Sequence, residues 1–344
     1  MSEKTYPTHK GRVTHSSIWG KRIPTQKTWR VWAGRQELFV LMLLLLVGGL
    51  LSLWTDVFLT ASNLSNVARY FSWIAIAAIG ESMVILVGGI DLSVGAVMAL
   101  AGLISALCLR SGLSVAVSIA AGLLTGSLVG WINGSLVGRT QLPPFIATLA
   151  TMSVARGVTF ALTGGWPVRD LRRAFLFFGQ RDLALGPVDL PVATLIVLGL
   201  AGLVFLLLQY TVVGRYIHTL GMNERALLFA GVDPTPLKIL VYTLGGFLAA
   251  VAGLLMTSNL GVAAPTAATG YELDIIAAAI IGGASLSGKQ GSILGVLLGA
   301  AFLQVLRNGL VLLGFPVFWQ SATIGAMILA ALLVDYFRRR MAQE

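Results

Sequence analysis

Apolar stretches recur along the whole chain, separated by short polar or glycine-rich breaks. They are too long and too uniformly apolar for the one-sided stripe of a soluble amphipathic helix. A helix that crosses a bilayer needs about 20 mainly apolar residues, at about 1.5 Å each for a hydrocarbon core of about 30 Å. That template predicts about ten spans, near residues 37–54, 70–88, 92–109, 114–137, 143–163, 189–210, 237–258, 271–285, 291–313 and 316–336. The pattern therefore predicts an all-α polytopic integral membrane protein. The first stretch follows a basic leader but has no small-residue cleavage site after its Leu-rich centre, so it reads as an anchor rather than a removed signal peptide. The eighth is short and flanked by glycine, which predicts a tilted or broken helix.

Composition agrees with this reading. Only 11% of the 344 residues are charged, against roughly 25% in a soluble domain, which excludes an ordinary soluble enzyme. One cysteine, Cys108, excludes an intramolecular disulfide and a cysteine-based metal site. The three histidines, His9, His15 and His218, all lie outside the apolar stretches. The sequence calls for no metal and no cofactor.

The net charge of +10 is unevenly placed, with eight of the 24 Lys and Arg in the first 36 residues and three more at Arg338–Arg340. Cytoplasmic segments carry such an excess, so both termini are expected inside. With ten spans, sixteen Lys and Arg fall inside and six outside (Arg69, Arg110, Arg169, Arg172, Arg173, Arg181), while Arg156 and Arg307 lie within spans. Residues 1–36 are then a basic cytoplasmic tail facing anionic membrane lipid, 37–336 the transmembrane domain, and 337–344 a cytoplasmic tail. No aromatic interleaving or nucleic-acid motif accompanies the basic leader, so no nucleic-acid partner is expected.

Two connections are long. The outer one, residues 164–188, mixes glycine and proline with four Arg and two Asp, and is placed to receive an extracytoplasmic partner. The inner one, residues 211–236, carries the punctuation of a short helix: Asn223 as N-cap, Glu224 at the positive helix end, the apolar run Ala226–Ala230, Gly231 as terminator, then Pro234 and Pro236. A helix of about seven residues, about 10 Å long, cannot cross a membrane, and this one suits either a mechanical contact with a cytoplasmic protein or a surface helix that tidies a loop. GGIDLS (Gly88–Ser93) and GGASLS (Gly282–Ser287) each leave one span and enter the next on the predicted inner side, as an internal repeat would.

Ionisable groups inside hydrocarbon are costly and usually face a cavity or a partner. Glu81 and Arg156 both fall near mid-depth, and two readings stand: a pair lining a route through the membrane, or a structural ion pair. Gln304, Arg307 and Asn308 share one face of the ninth span at i, i+3 and i+4, with Arg307 either lining a cavity or reaching the outer interface. The run AGLLTGSLVGWINGSLVG (Ala121–Gly138) has glycines at spacings of four, a pattern for close helix packing. GASLSGKQ (Gly283–Gln290) fits a phosphate-loop spacing but has Gln290 where Ser or Thr must reach magnesium. With no nucleophile or metalloprotease motif either, the chain is expected to move something rather than react with it.

The segment GESMVILVGGIDLSVGAVMALAG (Gly80–Gly102) closely resembles permease subunits of ribose-type bacterial ABC sugar importers, which are related to branched-chain amino acid permeases. Three further blocks resemble that family in order: Leu142–Gly157, Gly214–Val232 and Glu272–Gly295. The resemblance implies a non-enzymatic subunit in the bacterial inner membrane. Its partners would be a second permease, identical or related, a cytoplasmic ATP-binding cassette ATPase and an extracytoplasmic sugar-binding protein. It implies that Gly221, Met222, Asn223, Glu224, Ala226, Leu227, Ala230 and Gly231 form the coupling segment, and that Gly88, Gly89, Asp91, Ser93, Gly282 and Gly283 are motif positions. For Asp91 the residue chemistry itself suggests helix capping. Glu81, Arg156, Gln304 and Asn308 are the candidates for the translocation pathway. Lys289 departs from the family, standing where a second glycine is usual. A stand-alone secondary transporter remains the alternative, with Glu81 as its only candidate acid near mid-depth, as does a branched-chain amino acid permease.

Overall fold

A computed structural model describes residues 26–185, 188–285 and 291–316, together with positions 319, 322, 323, 325, 326, 329 and 330. Among these residues the chain is almost entirely helical. The order is α1 (Gln26–Trp54), α2 (Ala61–Leu86), α3 (Val94–Arg110), α4 (Val115–Arg139), α5 (Pro144–Thr163) and α6 (Arg173–Gln180). A hairpin of β1 (Asp182–Leu185) and β2 (Val188–Pro191) follows, then α7 (Val192–Tyr210), α8 (Val212–Met222), α9 (Glu224–Phe229), α10 (Pro234–Leu260), α11 (Tyr271–Ile281) and α12 (Ile293–Leu312). Seven of the helices are long and apolar enough to cross a membrane, and α3 is a shorter apolar helix. The tenth predicted span, 316–336, lies largely outside the described residues, as do both tails apart from residues 26–36.

Local chemistry sets the helix ends. The hydroxyls of Thr60, Ser114, Thr211 and Ser292 accept hydrogen bonds from the amides of Asn63, Val117, Gly214 and Gly295, which caps α2, α4, α8 and α12. Pro144 and Pro234 open α5 and α10, where a missing amide hydrogen costs nothing. Gly164 and Gly261 close the same two helices in the left-handed conformation.

Two helices form the centre. Every residue of α2 from Ser72 to Leu86 is buried, and α10 is buried along much of its length. Around them α1, α4, α5 and α7 turn large apolar side chains outward, among them Leu46, Leu53, Leu124, Val154 and Leu203, as a hydrocarbon solvent requires. The closest seam joins α4 to α10. Gly126, Gly130 and Gly134 lie against the backbone of Gly246, Tyr242 and Ile239; a Cβ on Gly134 would sit 2.7 Å from the Ile239 Cα. The glycine spacing in the sequence is thus the footprint of one helix laid directly on another.

The eighth span is broken, as its glycine flanks suggested: α11 has 11 residues, about 16 Å, half of a crossing. Elsewhere the structure adds to or corrects the sequence reading. The outer connection is not a plain loop but holds α6 and the hairpin, tied to α2 by an ion pair between Arg69 and Asp182. The inner connection holds a second helix, α8, ahead of the short one. The echo between GGIDLS and GGASLS does not extend to backbone register, because the left-handed residue is the first glycine in one (Gly88, φ 80°) and the second in the other (Gly283, φ 106°). Residues 286–290, including Lys289, lie outside the described residues.

Replacing Gly130 with Leu is expected to wedge α4 off α10 and destabilise the fold by at least the 1–3 kcal/mol or so typical of overpacking. Gly199→Leu on α7, where nothing lies within 4 Å of the added Cβ, is expected to be neutral. Thermal unfolding of the two variants in one detergent checks the contrast.

Candidate functional site

The GGIDLS segment is sunk inside the bundle rather than resting on the inner surface. The Gly88 and Gly89 amides close α2 by donating hydrogen bonds to the carbonyls of Ile85 and Val84, both 2.9 Å, the paired pattern of a glycine C-cap. The ring carbon of Tyr242 that bears the hydroxyl lies 3.1 Å from where a Cβ on Gly89 would be, so only glycine fits there. Tyr242 is eight residues into α10, about 12 Å along its axis from Pro234.

At that depth the turn's polar groups must be satisfied by protein. Glu81, 2% exposed, accepts a hydrogen bond from the Asp91 amide at 3.0 Å. Asp91 Oδ1 accepts from the Ser93 amide at 2.8 Å and from the Ser93 hydroxyl at 2.5 Å. Asn133 of α4 donates to the Ser93 hydroxyl at 2.9 Å, and the Thr148 hydroxyl of α5 accepts from the Leu92 amide at 3.2 Å. Asp91 therefore shapes the turn that starts α3, and four elements converge on it. Gly282 and Gly283 do a different job at the end of α11, where Gly282 lets α12 approach; a Cβ there would meet the Val296 Cα at 2.6 Å.

Glu81 and Arg156 do not pair. Arg156 donates from one nitrogen to the carbonyls of Pro265 (3.0 Å) and Ala267 (2.8 Å). These belong to the irregular segment 261–270 between α10 and α11, which reaches inward far enough that a Cβ on Gly95 would sit 2.7 Å from the Ala268 carbonyl. Non-helical backbone at membrane depth needs such donors, so Arg156 serves the broken helix. The polar face of α12 is likewise internal. Arg307 pairs with Asp274 of α11 at 2.5 Å instead of reaching the interface, and Asn308 exchanges amide hydrogen bonds with Asn63 of α2 at 2.8 and 3.1 Å. Gln304 is buried, 4% exposed. Sequence spacing put these groups on one face correctly, but which helix met that face depended on crossings that no local pattern encodes.

The inner connection forms a compact platform. Asn223 Oδ1 accepts from the Ala226 amide at 3.1 Å, capping α9, and Glu224 pairs with Lys238 of α10 at 2.7 Å. Gly231, with φ 78°, ends the helix. Asp233 caps α10, and the Thr235 amide holds its carboxyl below the ordinary range. Leu227 is buried with Leu220 and Leu237, and Val87, the residue before GGIDLS, packs on that cluster. The opposite side of α9 is bare: Phe229 is 91% exposed, and Leu228 and Met222 are exposed as well. The sequence alone passes over Phe229 because its run reads simply as helix interior. Its exposure within an apolar patch is what marks it, and only the fold shows that.

The Arg307 geometry has a direct test. Asp274→Asn leaves Arg307 without its counter-charge and is expected to destabilise the protein by about 3 kcal/mol. Adding Arg307→Gln is expected to restore part of that loss, measured as thermal midpoints of the single and double variants.

A family model described as the permease component of the branched-chain amino acid transport system matches residues 63–332. The ribose import permease protein RbsC of Escherichia coli K12 is 39% identical over 331 residues, covering 94% of this chain and 99% of that protein. RbsC of Bacillus subtilis 168 is 40% identical over 300 residues, covering 87% and 90%. The D-allose transport system permease protein AlsC of Escherichia coli K12 is 33% identical over 305 residues, covering 88% and 92%. With a family match across most of its length and relatives this similar from end to end, the chain belongs to this family of transport permease components.

Proposed function

We propose that the chain is the membrane-spanning permease subunit of an ATP-driven importer that carries a sugar, a pentose, hexose or related carbohydrate, into the cytoplasm. The observation that carries this reading is the end-to-end similarity to permeases for ribose and allose. The chain crosses the bacterial inner membrane about ten times with both termini inside, following the Lys and Arg asymmetry. A second permease subunit completes the pathway. The chain carries no ATPase site of its own, so a cytoplasmic ATP-binding cassette subunit supplies the energy.

The coupling segment is Gly221–Gly231. Its exposed side, Met222, Leu228 and Phe229, seats in the ATPase, while its buried side, Leu227, packs with Leu220 and Leu237 in a cluster on which Val87, at the foot of α2, also rests. A push on α9 is therefore passed toward the GGIDLS turn through that apolar cluster. On the outer side, residues 164–188 present Trp166, 78% exposed, beside Arg169 and Arg173, a surface suited to an acidic sugar-binding protein.

If Phe229 anchors the ATPase, Phe229→Ala removes an interface hot spot worth about 2 kcal/mol or more and weakens the permease–ATPase complex by about 30-fold. Leu53→Ala, at an equally bare apolar residue of α1, is expected to leave binding unchanged. Titration of the purified ATPase onto each permease variant in lipid discs checks both. Unaltered affinity in Phe229→Ala would remove α9 from the interface.

A further inference from the structure

We propose that the Glu81–Asp91 pair at the sunken α2–α3 turn is a proton-binding site, with one proton resident on Glu81. This goes beyond the transport reading and does not depend on which sugar is carried.

Both carboxyl groups are inside the protein, 2% and 5% exposed, and they lie close enough to repel one another. The ion pairs among the described residues are Arg69–Asp182, Lys238–Glu224 and Arg307–Asp274, and none supplies a cation here. Among the described residues neither acid has a cationic partner, and two buried negative charges left so are far too costly to keep. The neighbouring elements do not relieve the charge: α4 offers the amide of Asn133, α5 the hydroxyl of Thr148, and α10 the phenol of Tyr242. Of the acids of α11, Asp274 pairs with Arg307, and Glu272 lies against Gly95 in the first turn of α3.

Hydrogen bonding assigns the proton. Asp91 Oδ1 accepts from two donors on Ser93, the pattern of an ionised cap, whereas Glu81, among the described residues, accepts from the Asp91 amide alone, through Oε1. A neutral Glu81 accepts that bond equally well and gains an O–H donor on its other oxygen. Two oxygens at the site have no partner: Asn133 Oδ1 and the Tyr242 hydroxyl, on side chains that are both 0% exposed. The unpartnered Asn133 oxygen belongs to a side chain that already reaches Ser93, so the turn holds a free acceptor alongside its two acids. The proton comes from water and leaves to water, with no other bond made or broken. The site adjoins Val87, which rests on the Leu227 cluster, so whatever moves α9 also bears on the protonated turn.

Infrared spectroscopy of the full-length permease in lipid tests this. At pH 7 the wild type is expected to show the carbonyl band of a protonated carboxyl, sensitive to deuterium exchange and absent from Glu81→Gln. Thermal midpoints followed as the pH rises from the ordinary carboxylate range of about 4 give a second readout: the wild type loses stability as rising pH strips the proton, and Glu81→Gln does not. Should Glu81→Gln fail to fold, Tyr242→Phe, which removes one polar neighbour, is expected to shift the same band. Absence of any protonated-carboxyl band in the wild type at pH 7 overturns the proposal, as does a band unchanged in folded Glu81→Gln. A sodium-specific rise in the wild-type midpoint at fixed ionic strength, with no such band, overturns it in favour of a bound metal cation.

Discussion

The near-contact of backbones along the α4–α10 seam is the constraint on which the rest of the architecture depends. Ordinary helix pairs lie 8–10 Å apart because side chains separate them; here Gly126, Gly130 and Gly134 remove that spacer and meet Gly246, Tyr242 and Ile239 directly. In lipid no hydrophobic drive joins helices, so such close packing carries much of the association. With α4 held this way, Asn133 is aimed at Ser93 and Tyr242 at Gly89. The glycine seam thus fixes the walls of the polar turn.

That turn is the second organising feature. Irregular backbone inside a membrane protein survives only when protein groups satisfy it, and this chain does so twice. Glu81, Asp91, Ser93 and Thr148 serve the α2–α3 break, and Arg156 serves the segment before α11. The polar residues buried in the bundle are thereby largely structural in their contacts. What reaches the inner surface is a short chain of apolar contacts, from Val87 through Leu220, Leu227 and Leu237 to the bare side of α9. Under the proposed coupling role, a force applied at Phe229 would pass through this cluster toward the GGIDLS turn.

Much of this was legible in the sequence for physical reasons. Span length follows from the thickness of hydrocarbon, and the α9 cap follows from Asn223 and Gly231 alone. The glycine spacing on α4 announced a close contact without naming its partner. What was not legible involved partners distant in sequence. Arg156 was expected opposite Glu81 on depth alone, yet depth does not fix azimuth, and its guanidinium turned to Pro265 and Ala267. Arg307 had an acid within reach, Asp274, because α12 runs back antiparallel along α11, with Gly299 against Ala278 and Gly282 against Gly295. The α6 helix and the hairpin hid in a charged, proline-containing connection whose short apolar runs carry no clear period.

The proposed division of labour, a sugar permease powered by a separate ATPase, is tested by reconstituting the permease into liposomes with and without its ATPase and sugar-binding protein, then following uptake of labelled sugars. Uptake is expected only with both partners and ATP. Uptake by the permease alone, driven by a proton or sodium gradient, would contradict it.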